Sequence, residues 1–283
     1  MTPLGRLRAR VERLGSPLCL GLDPHPDRLP EGVPANIGGV ESFARGVLEA
    51  VAAEVSAVKI NVAFFEASGS VGWAALERLR ADVPGDLYVI LDAKRGDIGS
   101  TAERYAAGLL GHLGADAVTL SPYLGEDAIE PFLAYPDRCV YVLARTSNPS
   151  AASVQELGAG AEPLYLAVAR WAAERWTDGR VGLVVGATAP AELTRVREAA
   201  PGPGFLVPGV GAQGGDLSAA ARACHGAWAP GVVSISRGIA EASRGSDWAA
   251  AAATAAGGLR ARMREAVLHS GASAAAAPPS GGS

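Results

Sequence analysis

Lysine is nearly missing from this chain. Of 25 basic residues in 283, only Lys59 and Lys94 are lysines and the other 23 are arginines. Arginine thus serves wherever a generic cation suffices, and a retained lysine becomes a candidate for chemistry that needs a releasable proton, which a guanidinium holds too firmly. Cysteine is scarce as well. Cys19, Cys139 and Cys224 are odd in number, far apart and form no CxxC pair, which argues against a disulfide framework and predicts buried thiols in a reducing cytoplasm. His25, His112, His225 and His269 show no HxxxH or HxH spacing, so no zinc-ligand set is legible. No apolar run approaches the roughly 18 residues that cross a bilayer, and MTPLGRLRARVERLG at the start lacks the apolar core of a secretory signal. A net charge of -4 with scattered arginines offers no basic stripe for nucleic acid. Neither a membrane nor a nucleic-acid partner is expected.

What is present is apolar side chain in short, regularly spaced runs. The chain is 49% hydrophobic and 19% charged, enough to bury a core against the entropy of ordering it. Strand-like runs fall at residues 17–23, 57–62, 87–93, 117–121, 139–144, 181–186, 204–208 and 232–236. Helix-like segments fall at 40–55, 71–81, 101–113, 126–133, 163–176, 190–198, 217–224 and 247–268. Eight alternations predict parallel strands with crossover helices, closed into a single (β/α)8 TIM barrel over residues 1–269. Leu4, Leu7, Val11 and Leu14 add an N-terminal amphipathic helix. Residues 270–283, SGASAAAAPPSGGS, are uncharged and proline-bearing and are expected to form a disordered tail.

In such a barrel the chemistry gathers at the C-terminal strand ends. Those ends supply Asp23 in GLDP, Lys59 in VKIN, Asp92, Lys94 and Asp97 in LDAKRGD, and Ser147 in RTSN; the seventh and eighth add PGVGAQGG from Pro208 and Arg237 in SRG. Residues two apart in a strand share a face, which puts Asp92 beside Lys94, with Lys59 on the adjacent strand reaching Asp92 from its other side. Burying charges is costly unless they pair well, so an alternating Lys-Asp-Lys array at this end points to tuned ionisation more than to stability. Arg95 is expected to point away as a surface cation. Gly209, Gly211 and Gly214 satisfy GxGxxG, but in the seventh unit rather than the first, which argues against a dinucleotide site. After the seventh strand, glycines with Gln213 and Arg237 fit a phosphate instead.

DAKRGDI at 92–98 resembles the DxKxxD(I) signature of the orotidine 5'-phosphate decarboxylases. The likeness runs to about residue 265 through LGLDP, VKIN, RTSN, VGAT, PGVGAQGGD and SRG, and is nearest to the longer bacterial branch, the type 2 subfamily. It implies loss of CO2 from orotidine 5'-phosphate to give uridine 5'-phosphate, the last step of de novo UMP synthesis, without metal or cofactor. By position it makes Lys94 the proton donor to the ring carbon, Asp92 the acid beside the scissile carboxylate, and Lys59 the lysine that holds the array and contacts ribose. Asp23 is matched to the ribose hydroxyls, Ser147 to the pyrimidine amide edge, and Pro208, Gln213 and Arg237 to the phosphate end. Asp97 and Thr101 are matched to residues that reach a neighbouring subunit's site, implying a homodimer with shared active sites in the cytoplasm. Two features depart from the usual pattern: Ser236 precedes Arg237 where many members carry Gly, and about 35 residues separate the fifth strand from the sixth. Two other readings stay open: a metal-assisted keto-sugar-phosphate decarboxylase of the same superfamily, and a non-catalytic nucleotide-binding barrel.

Overall fold

The computed structural model describes residues 1–158, 162–188, 190–211 and 214–275. Eight parallel strands pair in sequence order: β1 (Leu18–Leu22), β2 (Ala57–Asn61), β3 (Tyr88–Arg95), β4 (Ala117–Leu120), β5 (Cys139–Arg145), β6 (Val181–Val185), β7 (Phe205–Val207) and β8 (Val232–Ile235). β8 bonds back to β1 and closes the barrel. The TIM barrel expected from the alternation is the fold.

The strands are covered on both faces, which is why they read as near-continuous apolar runs such as LCLGL and VGLVV. Within them the period of two still sorts side chains. Leu18, Leu20 and Leu22 of β1 face outward to α2 (Ile37–Val51), packing with Val40, Phe43, Val47 and Leu48. Cys19 between them faces inward and joins Ala57, Tyr88, Ile90, Ala117, Cys139, Tyr141, Val184, Leu206 and Val232 as the barrel floor. Helix α1 (Pro3–Leu14) closes this end: Leu7 is fully buried in the floor, with Leu4 and Val11 beside it. Burying such a side chain is worth about 1.5–3 kcal/mol. An ion pair and a hydrogen bond fix the helix in place, with Arg6 at 2.6 Å from the buried Asp116 and Arg10 donating to the Val55 carbonyl at 2.7 Å. All three cysteines are buried and unpaired, as expected. Burial pushes Cys19 and Cys224 up to about 12 and Cys139 to about 11, so they are poor nucleophiles.

The remaining helices form the outer layer: α3 (Ala63–Glu66), α4 (Gly69–Asp82), α5 (Gly99–Ala106), α6 (Glu130–Leu133), α7 (Ala152–Gln155), α8 (Leu164–Arg175), α9 (Pro190–Ala199), α10 (Leu217–Ala223), α11 (Arg237–Ala240) and α12 (Trp248–Ala275). Three segments differ from their sequence reading. The helix expected at 101–113 is α5 followed by a π-helical stretch, Ala107–His112. The helix expected at 126–133 is a 3-10 turn (Glu126–Ala128) followed by α6, because Pro131 lacks an N–H and suits only a helix's first turn. The last helix runs on past 268 to Ala275, a stretch in which Ala272, Ala274 and Ala275 favour helix. Only the final part of the expected tail, 276–283, lies outside the described residues.

Candidate active site

Above the floor, the same inward-facing series turns polar. Cys19 is followed by Gly21 and Asp23, Ala57 by Lys59 and Asn61, Ile90 by Asp92, Ala117 by Thr119, and Val232 by Ser234 and Ser236. With the exception of Gly21, these polar-end residues line a cavity of about 730 Å³ at the C-terminal mouth.

Asp92 is its centre. Lys59 Nζ lies 2.9 Å from Asp92 Oδ2, and Lys94 Nζ lies 2.6 Å from Oδ1. Thr119 Oγ1 donates to Oδ1 at 2.9 Å and accepts from the N–H groups of both Ala93 and Lys94 at 3.0 Å. Lys94 does not reach Asp92 by regular strand alternation. Its φ of 45° is left-handed, and the β3–β4 register shifts between Leu91 and Arg95. That backbone costs a non-glycine residue roughly 1–2 kcal/mol, offset by the paired N–H bonds to Thr119. The kink re-aims Arg95 as well. It does not sit free as a surface cation but is held against Glu66 and stacks over the Tyr105 ring at 5.0 Å.

The charges fix one another. Burial alone would lower the pKa of Lys59, whose side chain is 6% exposed, but Asp92 and Asp23 (3.8 Å away) outweigh it and hold the pKa above that of ordinary lysine. Burial alone would raise that of Asp92; Lys59 and Lys94 reverse this and hold it well below the usual carboxylate range. Asp92 is therefore held as a carboxylate and Lys59 as an ammonium across the neutral range. Such fixed charges suit a reaction in which charge develops on a bound molecule.

The opposite side of the cavity suits an anion. Gly209 (φ 92°), Gly211 (φ 76°) and Gly214 (φ 86°) take left-handed backbone that other residues rarely adopt, and the Gly215 N–H closes the turn on the Gly209 carbonyl at 3.1 Å. Pro208, Gly209, Val210 and Arg237 line the cavity here. Arg237 is exposed and makes no ion pair among the described residues, which leaves its guanidinium fork open to a bidentate anion.

Comparison with known proteins decides the family. The sequence profile described as "Orotidine 5'-phosphate decarboxylase / HUMPS family" matches residues 16–254. The chain belongs to the orotidine 5'-phosphate decarboxylase / HUMPS family. An orotidine 5'-phosphate decarboxylase of Roseiflexus castenholzii is 53% identical over 248 residues, 87% of this chain and 91% of that protein. One from Cupriavidus necator is 48% identical over 257 residues, 89% and 94% of the two chains. Among solved structures, Leishmania donovani OMP decarboxylase superposes with a TM-score of 0.80 at 40% identity, over 94% of this chain and all of that one. The putative orotidine-monophosphate decarboxylase of Toxoplasma gondii gives 0.83 at 38%, over 94% and 98%.

For this member of the decarboxylase / HUMPS family, most residues singled out from the sequence converge: Asp23, Lys59, Asp92, Lys94, Ser147, Pro208 and Arg237 all line the one cavity. Asp97 and Thr101 are not among the described residues lining it. Asp97 is half-buried and accepts from the Ile98 N–H at 2.8 Å, and Thr101 is exposed on α5. Gln213 lies outside the described residues. Thr119 and Gln155 are missing from the sequence reading. Thr119 was within reach, being two residues beyond the inward-facing Ala117. Gln155 lies far along the long β5–β6 connection, where no spacing points to it. It holds the Ser147 loop by accepting from the Thr146 N–H at 2.9 Å and donating to Thr146 Oγ1 at 2.6 Å.

Proposed function

We propose that this chain decarboxylates orotidine 5'-phosphate to uridine 5'-phosphate, the last step of de novo UMP synthesis. The observation that carries the reading is the Lys59–Asp92–Lys94 array, which shares one cavity with Pro208, Gly209 and Arg237. The carbon-carbon bond to the carboxylate breaks, its electron pair stays on the pyrimidine ring carbon, and the Lys94 ammonium gives that carbon a proton. An ammonium fixed 2.6 Å from Asp92 stabilises the developing carbanion before it protonates it, which a guanidinium would do poorly. Asp92 stands beside the scissile carboxylate, and Lys59 holds Asp92 and contacts ribose. Asp23 takes the ribose hydroxyls, Ser147 the amide edge of the pyrimidine, and Pro208, Gln213 and Arg237 the phosphate end. Phosphate binding, remote from the reacting carbon, supplies energy that orders the charged end.

Asp97 and Thr101 act in the site of a second copy, so the working unit is a homodimer, in the cytoplasm. Supporting this, Ile98 beside Asp97 is 52% exposed, Tyr105 one helical turn after Thr101 is 38% exposed, and Tyr123 is 85% exposed. Exposed large apolar side chains on the segment that carries Asp97 and Thr101 fit a protein contact.

An ultraviolet assay of orotidine 5'-phosphate loss, with and without a chelator, tests the reading. Chelator-insensitive loss is expected; binding of uridine 5'-phosphate without any loss would overturn it in favour of a binding barrel, and loss abolished by chelator would point to metal-assisted chemistry. In the same assay Arg237→Ala should raise KM roughly 10- to 100-fold, as expected for loss of hydrogen bonds to a charged group. An unchanged KM would remove Arg237 from the phosphate end.

A further inference from the structure

Ser236 stands between the two ends of the cavity. It immediately precedes Arg237, and its carbonyl accepts from the N–H groups of Ile239 and Ala240 at 3.0 and 2.9 Å, starting the turn of α11. Its hydroxyl reaches across to β1 and donates to Asp23 Oδ2. The other oxygen, Asp23 Oδ1, faces Lys59 Nζ at 3.8 Å, while Lys59 holds Asp92 at 2.9 Å. A chain of polar groups therefore runs from the turn bearing Arg237, through Ser236, Asp23, Lys59 and Asp92, to Lys94, and its Asp23–Lys59 step at 3.8 Å is longer than a hydrogen bond.

The space for this hydroxyl is made by a glycine. A Cβ at Gly21 would lie 2.0 Å from Ser236 Oγ and 3.1 Å from its Cβ. Any side chain at 21 would displace the serine.

The 3.8 Å gap between Asp23 and Lys59 is informative because a fully formed ammonium-carboxylate contact closes to about 2.7–2.9 Å. Asp23 is thus held one step short of pairing. A carboxylate released from Ser236 could rotate onto Lys59 and draw it from Asp92, whose partners among the described residues are Lys59, Lys94 and Thr119. We propose that Ser236 is a positioning residue: by occupying Asp23 Oδ2 it restrains Asp23 from closing on Lys59, keeps Lys59 on Asp92, and ties the charged array to the turn that carries Arg237. The role rests on the reading of this cavity as a decarboxylation site.

The test compares wild type, Ser236→Ala, Ser236→Thr and the double variant Gly21→Ala/Ser236→Gly. The double variant puts a methyl where the hydroxyl was, filling the space without a donor. For each, kcat and KM for orotidine 5'-phosphate, the Kd of uridine 5'-phosphate and the Tm are measured. Ser236→Ala and the double variant should both lose about tenfold in kcat, the scale of one hydrogen bond to a charged group, with the Kd for uridine 5'-phosphate weakened by less than the loss in kcat/KM because Asp23 also takes the ribose hydroxyls. Ser236→Thr, which keeps the hydroxyl, should recover most of the loss. Wild-type kcat in Ser236→Ala, or in the double variant, would overturn the role, the latter by showing that only the volume matters. A weakening of product binding as large as the loss in kcat/KM would also overturn it, by making Ser236 a simple ligand contact. A wild-type protein that leaves orotidine 5'-phosphate intact would instead overturn the functional reading itself, and this role with it.

Discussion

Lys94→Ala is expected to reduce turnover of orotidine 5'-phosphate by about 10⁴-fold or more, while binding of uridine 5'-phosphate stays within about tenfold. The side chain does two jobs that a methyl cannot do. Positioned proton transfer contributes typically 10²–10⁴-fold, and a preorganised charge aimed at a developing anion contributes about 10²–10³-fold. The two overlap in one group, so their product is an upper limit. Product binding is expected to survive because the ribose and phosphate contacts lie elsewhere in the cavity. Folding should survive too: Lys94 is half exposed, and Asp92 keeps Lys59 at 2.9 Å and Thr119 at 2.9 Å when Lys94 is gone. Lys94→Arg makes the sharper comparison, since it restores the charge and not the releasable proton. It should remain far below wild type. Near-normal turnover in either variant, measured by the ultraviolet assay beside calorimetric product binding, would sink the assigned role.

Much of the barrel was legible because its strands carry their own signal. Each is an apolar run closed by a polar residue, glycine or proline at its C-terminal end, and all eight were found within three residues of their observed limits. The pairing of Asp92 with Lys94 was also legible, though for an incomplete reason. Strand alternation predicted a shared face, whereas the structure achieves the contact through the left-handed backbone at Lys94 and the double N–H bond to Thr119. No local pattern announces a positive φ at lysine, so the kink and its effect on Arg95 stayed hidden. The contribution of Gln155 was hidden for a different reason. Its partner, Thr146, is nine residues away across a connection with no hydrophobic period, and such loop contacts depend on tertiary closure. Ser236 was visible only as a departure next to Arg237; its bond to Asp23 spans 213 positions and needs the closure of β8 on β1.

Asp97 and Thr101 are not among the described residues that line the cavity of their own chain, and mixing two inactive variants tests whether they serve a neighbour's. Asp97→Ala is expected to be nearly inactive if its carboxylate completes a neighbour's site, and Lys94→Ala is inactive for the reason above. When the two are exchanged at equal amounts, random pairing makes about half of the dimers mixed, on the two-fold symmetry usual for such assemblies. In a mixed dimer, the site built on the Asp97→Ala subunit has its own Lys94 and receives an intact Asp97 from the other copy. The second site lacks both groups. About a quarter of wild-type activity should therefore return, one working site in half of the dimers. If Asp97 instead serves its own chain, every site in the mixture carries one defect and nothing returns. Native mass spectrometry can establish that subunits have exchanged. Absence of recovery in a demonstrated mixed dimer would then locate Asp97 in its own subunit's site or outside catalysis, and the exposed apolar surface of Ile98, Tyr105 and Tyr123 would have to be explained by contact alone.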